Sequence, residues 1–102
     1  MIEADILMGT VVGASSATVP IMAHPPQIVG DLSFVGFIEL VVAHNRAHAK
    51  ARQLGVKLDF KAKEAVAPCL ATLAKYKEAD LPAVWLNAGN IIHFVTIKLQ
   101  QL

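Results

Sequence analysis

Residues 55–61 read GVKLDFK, and their alternation decides the fold class. Val56, Leu58 and Phe60 fall on one side of an extended chain, with Lys57, Asp59 and Lys61 on the other. Side chains on a strand point to opposite faces with a period of two, so this is a strand with one apolar and one charged face. The charged face meets either open water or a place where charge is used.

Working outward, the flanking segments read as helices. Residues 31–55, DLSFVGFIELVVAHNRAHAKARQLG, carry an apolar stripe of Phe34, Phe37, Ile38, Val41 and Val42. Asp31 or Ser33 can cap this helix, and Arg46, Lys50 and Arg52 suit its C-terminal end. Residues 62–80, AKEAVAPCLATLAKYKEAD, form a second helix with Val66, Leu70 and Leu73 inward. Pro68 sits in its first turn or kinks it. IEADILM (residues 2–8), VPIMAH (19–24) and PAVWLNAG (82–89) read as further strands, GTVVGASSAT (9–18) as a loop, and Pro25-Pro26 as the stop after the second strand. The tail IIHFVTIKLQQL looks extended, with no obvious partner.

Strand, helix, strand, helix, strand predicts βα units and a parallel sheet. In an open doubly wound sheet the central strands are apolar on both sides, whereas here each keeps a polar side. A parallel (β/α) barrel accommodates that pattern, with apolar sides against helices and polar residues at the carboxyl-end mouth. The class predicted is therefore α/β, a partial TIM barrel of three to four βα units in a single domain over 1–102. A full barrel takes about 250 residues, so these 102 residues read as a partial chain.

Composition bounds the rest. The chain is 55% hydrophobic and 17% charged, with a mean hydropathy of +0.52, greasier than a small domain needs to cover its own surface. A net charge of +1 offers no general attraction to nucleic acid. No stretch reaches the roughly 18 apolar residues of a membrane span. Cys69 is the single cysteine, so no internal disulfide forms; its place on a helix beside Leu70 reads as core. GTVVGASSAT lacks the Gly-Lys-Ser/Thr of a phosphate loop, which excludes that mode of nucleotide binding.

The chemistry-bearing residues are Glu3, Asp5, His24, Asp59 and Lys61. Glu3 and Asp5 lie two apart on one strand, about 6.6 Å along the chain, and face the same way. With Asp59 they form an acidic set whose oxygen chemistry suits Mg²⁺ or Ca²⁺. His24 closes its strand where a general acid or base would sit, and Lys61 can steady a phosphate's charge. The bland reading dresses solvated strand ends with these same acids and pairs the lysines with them. His44 and His48 have ligand spacing on a helix but sit among Arg46 and Lys50, which reads as a solvated basic face. His93 receives no role.

IEADIL, PIMAHPP, GVKLDFK, the helix ending LATL, and VWLNA resemble, in order and spacing, the menorin family, over residues 2 to 88. That family is similar to the glycerophosphodiester phosphodiesterase-like barrels, which include the spider-venom phospholipase D enzymes. The resemblance implies a divalent cation held by Glu3 and Asp5, as an E-x-D pair, with Asp59 as third acid. It also implies His24 as one of two catalytic histidines, Lys61 as the lysine following the third acid, and Asn87 within the LNA motif near substrate. The implied partner is a phosphodiester or lysolipid-like small molecule, or a cell-surface protein if the family's adhesion role applies without turnover. It implies an extracellular location, with a cytoplasmic one as the alternative. Two departures stand out. The other histidine lies upstream of E-x-D in such barrels, and residues 89–102, GNIIHFVTIKLQQL, match nothing in the family pattern. The missing first histidine and the partial barrel lead to the expectation that the 102 residues alone are inactive.

Overall fold

A computed structural model describes residues 1–13, 17–24, 26–88 and, for the backbone alone, 96–98. It is a mixed α/β domain. The strands are β1 (Ile2–Val11), β2 (Val19–Met22), β3 (Val29–Gly30), β4 (Val56–Phe60), β5 (Val84–Asn87) and β6 (Thr96–Lys98), and the helices are α1 (Phe34–Ala47) and α2 (Val66–Leu73). The main sheet has the order β2-β1-β4-β5-β6, with β3 attached to β1.

The expected parallel succession holds for β1, β4 and β5, which pair parallel in chain order. Two crossovers, through α1 and then α2, step in one direction across the sheet. Their helices share one core with the even-numbered side of the strands: Ala4, Ile6, Val56, Leu58, Phe60, Val84 and Leu86 meet Phe34, Ile38, Val41, Cys69 and Leu73. Helices on one face with strands in sequential order make a singly wound progression, without the strand-order reversal of doubly wound sheets. Burying each of Val56, Leu58 and Phe60, all at most 1% exposed, stabilises the domain by about 1.5–3 kcal/mol.

Several elements differ from the sequence reading, each for a local reason. β2 runs antiparallel to β1, so His24 follows an edge strand and does not end a parallel one. β1 continues through Gly9–Val11, read as loop, because the segment after β2 folds back onto it: the Thr10 amide donates to the Ile28 carbonyl at 2.9 Å. α1 begins as expected, with Ser33 Oγ accepting the Gly36 amide at 3.0 Å. It ends early, at Ala47, where His48 turns extended and a 3₁₀ turn (Lys50–Arg52) follows. Pro68 lies in the first turn of α2, where its missing N–H costs nothing. The inward set there is Cys69 and Leu73, with Val66 and Leu70 half-buried. The tail backbone at Thr96–Lys98 finds a partner after all, antiparallel to β5. The expected turn at residues 14–16, Pro25, and the remainder of 89–102 lie outside the described residues.

Gly9 is where the fold depends on a missing side chain. A Cβ there would overlap the Ile28 carbonyl oxygen and the Ile21 Cδ1. The carbonyl is fixed by its hydrogen bond and Ile21 is fully buried, so neither yields easily. Gly9→Ala is expected to cost about 2 kcal/mol and to lower Tm by about 10 °C in a thermal melt. An unchanged Tm would show that Ile28 does not press on β1.

Candidate functional site

In-register neighbours on parallel strands share a face. Asp5 stands beside Asp59, and Asp59 beside Asn87, forming one row across the carboxyl ends of β1, β4 and β5. Glu3, Lys57 and Trp85 form the row beneath, toward the strand starts. Both rows lie opposite the helix-packed face. The alternation of GVKLDFK therefore aims its charges at the uncovered side of the sheet, and adjacent strands place an acid, an acid and an amide about 4.8 Å apart.

Two like charges that close repel, and the chain supplies the compensation. Lys61 Nζ lies 2.9 Å from Asp59 Oδ2, with side chains only 18% and 31% exposed. The hydrogen bond to Asp59 raises the Lys61 pKa above its ordinary value, helped by the charges of Asp59 and Asp5 and opposed by desolvation. His24 Nε2 is 3.8 Å from Asp5 Oδ2, because the Ala23 amide donates to the Asp5 carbonyl and carries the chain alongside β1. Lys57 Nζ is 3.8 Å from Glu3 Oε1 in the lower row, an exposed pair of small energetic weight.

Of the six expected residues, five gather: Asp5, His24, Asp59, Lys61 and Asn87. Glu3 shares their face but stands one row down, turned to Lys57. Among the described residues no three His, Cys, Asp or Glu side chains cluster closely enough to share an ion. The donor set of Asp5 and Asp59 nonetheless fits Mg²⁺, which takes one or two carboxylates and completes its shell with water and substrate phosphate.

Asn45 was not picked out by the sequence reading, although a signal existed: it continues the apolar stripe of Ile38, Val41 and Val42 at helical spacing. It is 1% exposed. Its Nδ2 donates to the Leu54 carbonyl at 3.0 Å and the Asp80 carbonyl at 2.8 Å, and its Oδ1 accepts the Leu54 amide at 2.6 Å. One side chain thus ties the end of α1 to the entries of β4 and β5.

Beside it, Arg46 donates from Nε and a terminal nitrogen to both carboxylate oxygens of Asp80, at 3.0 and 3.1 Å. This bidentate hydrogen bonding holds the Asp80 carboxyl below its ordinary 3.8. A depressed pKa stabilises the fold above the unfolded-state value and loses that contribution as pH falls through the folded-state value. Tm is therefore expected to fall between pH 5 and pH 3, more steeply in the wild type than in Asp80→Asn. Equal slopes would show the pair to be energetically idle.

His44 and His48 stack, ring centroids 3.9 Å apart, and each bonds a backbone carbonyl, Arg52 and His44 respectively. Burial pushes the Cys69 thiol up to about 12, which suits a core residue and no nucleophile. No helix among the described residues is long and apolar enough to cross a membrane.

The sequence profile of the menorin N-terminal domain matches residues 1–93. Human Protein FAM151B is 35% identical over 88 residues, covering 86% of this chain. The chain spans 28% of that relative's length. No solved structure matches it. The row of Asp5, Asp59 and Asn87 thus sits inside the matched region, and the chain belongs to the menorin family, through that family's N-terminal domain.

Proposed function

We propose that this domain is one sector of a phosphodiesterase-like (β/α) barrel and that its charged row serves metal-assisted hydrolysis of a phosphodiester in the whole protein. The observation that carries the reading is the in-register row of Asp5, Asp59 and Asn87 at the carboxyl ends of three parallel strands, flanked by Lys61 and His24. Carboxyl ends of barrel strands are where catalytic residues collect. Asp5 and Asp59 would hold the cation, Mg²⁺ or Ca²⁺, with Glu3 supporting from the row below. Such an ion supplies Lewis-acid polarisation of a phosphoryl oxygen.

The protein's own groups have distinct tasks in this reading. Lys61 fixes the Asp59 carboxylate and offers positive charge to a phosphate oxygen. His24 exchanges a proton at its ring, with the Asp5 carboxylate 3.8 Å away to orient the imidazole. The Asn87 amide donates a hydrogen bond to a substrate oxygen. The substrate class is a glycerophosphodiester or lysolipid-like molecule, met outside the cell.

One feature favours a second reading, a binding or adhesion module without turnover. Each acid in the two rows already has a basic side chain as neighbour: Lys61 for Asp59, His24 for Asp5 and Lys57 for Glu3. The deciding measurement is cleavage of a glycerophosphodiester by the full-length protein with and without Mg²⁺. Turnover that a chelator abolishes supports the hydrolase. Cation binding by calorimetry with no turnover supports the binding module.

A further inference from the structure

The two lysines of GVKLDFK hold their acids differently. Lys61 Nζ grips Asp59 Oδ2 at 2.9 Å, with side chains 18% and 31% exposed. Lys57 Nζ stands 3.8 Å from Glu3 Oε1, with side chains 45% and 75% exposed. The first pair is close and sheltered; the second is long and open to water. Glu3 is thus the acid most easily moved, restrained by a contact of small energetic weight.

Its position gives that mobility a consequence. Glu3 lies beside Lys57 in register, one row beneath Asp5 and Asp59. Asp5 is two residues further along the same strand, about 6.6 Å away on the same face. Glutamate has one more methylene than aspartate, and strand side chains lean along the strand direction. The Glu3 carboxylate is therefore placed to serve either its own row, against Lys57, or the row above, against a cation.

Carboxylate number separates the two candidate ions. Mg²⁺ takes one or two carboxylates and keeps several waters in a tight octahedron, whereas Ca²⁺ collects about six to eight oxygens in a flexible shell. Asp5 and Asp59 alone make a set of the first kind, and Glu3 added to them makes one of the second. We propose that Lys57 is a specificity-determining residue: by retaining Glu3 in the lower row, it biases the acid row toward Mg²⁺ over Ca²⁺. This inference rests on the metal reading of Asp5 and Asp59 proposed above, and adds to it the residue that selects the ion. Lys57 acts through Glu3 and is not itself a ligand.

The test is calorimetric titration of Mg²⁺ and of Ca²⁺ into the full-length protein, as wild type, K57Q, E3Q and K57Q/E3Q. Both ions carry the same charge, so loss of a nearby ammonium strengthens both alike and cancels in the ratio of their affinities. Release of Glu3 does not cancel, because the third carboxylate suits Ca²⁺ better. The ratio of Ca²⁺ to Mg²⁺ affinity is expected to rise about fivefold in K57Q, the upper end of what an exposed pair withholds. It is expected to return to the wild-type value in K57Q/E3Q, the cycle that isolates coupling between the two side chains. E3Q alone is expected to match the wild type. A ratio unmoved by K57Q, or one that stays raised in the double variant, would overturn the role of Lys57 while leaving the cation site standing. Binding of neither ion by the wild type would overturn both.

Discussion

Asn45→Asp is expected to melt about 15–20 °C below the wild type at pH 7, and to be less stable there than Asn45→Ala. Asn45 makes two donor bonds and one acceptor bond while almost fully buried. Truncation to alanine leaves the Leu54 and Asp80 carbonyls and the Leu54 amide short of partners. Buried polar groups left unpaired cost about 1–3 kcal/mol each, and partial access of water to the rim brings the total to about 3 kcal/mol. That is a large share of the roughly 5–15 kcal/mol that holds a small domain together, and each kcal/mol moves Tm by about 4–8 °C in a domain of this size.

Aspartate keeps the shape and the acceptor but places a carboxylate oxygen against two carbonyl oxygens. The buried charge repels both, which raises the folded-state pKa of the new carboxyl above its unfolded value. Protonation then restores one donor. The stability gap between the Asp and Ala variants is therefore expected to narrow from pH 7 to pH 4, the sign required when a folded-state pKa is raised. Circular-dichroism melts at the two pH values measure it. An Asn45→Asp protein melting within 3 °C of the wild type would remove Asn45 as the tie between α1, β4 and β5.

The second large effect concerns Asp59. On the proposed hydrolase reading, Asp59→Asn in the full-length protein is expected to lower Mg²⁺-dependent turnover of a glycerophosphodiester by about 10²–10³-fold, the range seen when one electrostatic contact to a reacting centre is lost. The substitution preserves volume and strand pairing but removes the charge that both Lys61 and a cation would use. Tm should change little, because the pair is partly exposed and such pairs contribute modestly. Cation affinity measured by calorimetry should drop together with turnover. Undiminished turnover with Asp59→Asn would dismiss the acid row as the catalytic centre. A collapse of Tm would instead mark Asp59 as a structural member of the sheet.

Much of this architecture was legible in the chain. Period-two alternation marked β4 and its two faces, because side chains on a pleated strand have no other choice. The stripe from Phe34 to Val42 marked α1, and Ser33 marked its start. Membership of the menorin family was legible too, from IEADIL, PIMAHPP, GVKLDFK and VWLNA. The end of α1 was not, since 46–52 has good helix formers and the break comes with His44 and Asn45 side chains bonding the carbonyls of Arg52, Leu54 and Asp80. Nor was the antiparallel sense of β2, which no single strand's pattern encodes.

By itself, then, the order of residues determined where β4, α1, α2 and most of β1, β2 and β5 lie, which face of the main elements is apolar, and which side chains carry charge, because periodicity and capping act within a few residues. Only the tertiary structure decided that Asp5, Asp59 and Asn87 stand in one row while Glu3 falls a row below. It likewise decided that Lys61 sits on Asp59 and that Asn45 ties the entries of β4 and β5 to α1. Register between strands far apart in sequence comes from packing the whole core at once, and a shift of one residue would turn every charge of GVKLDFK toward the helices.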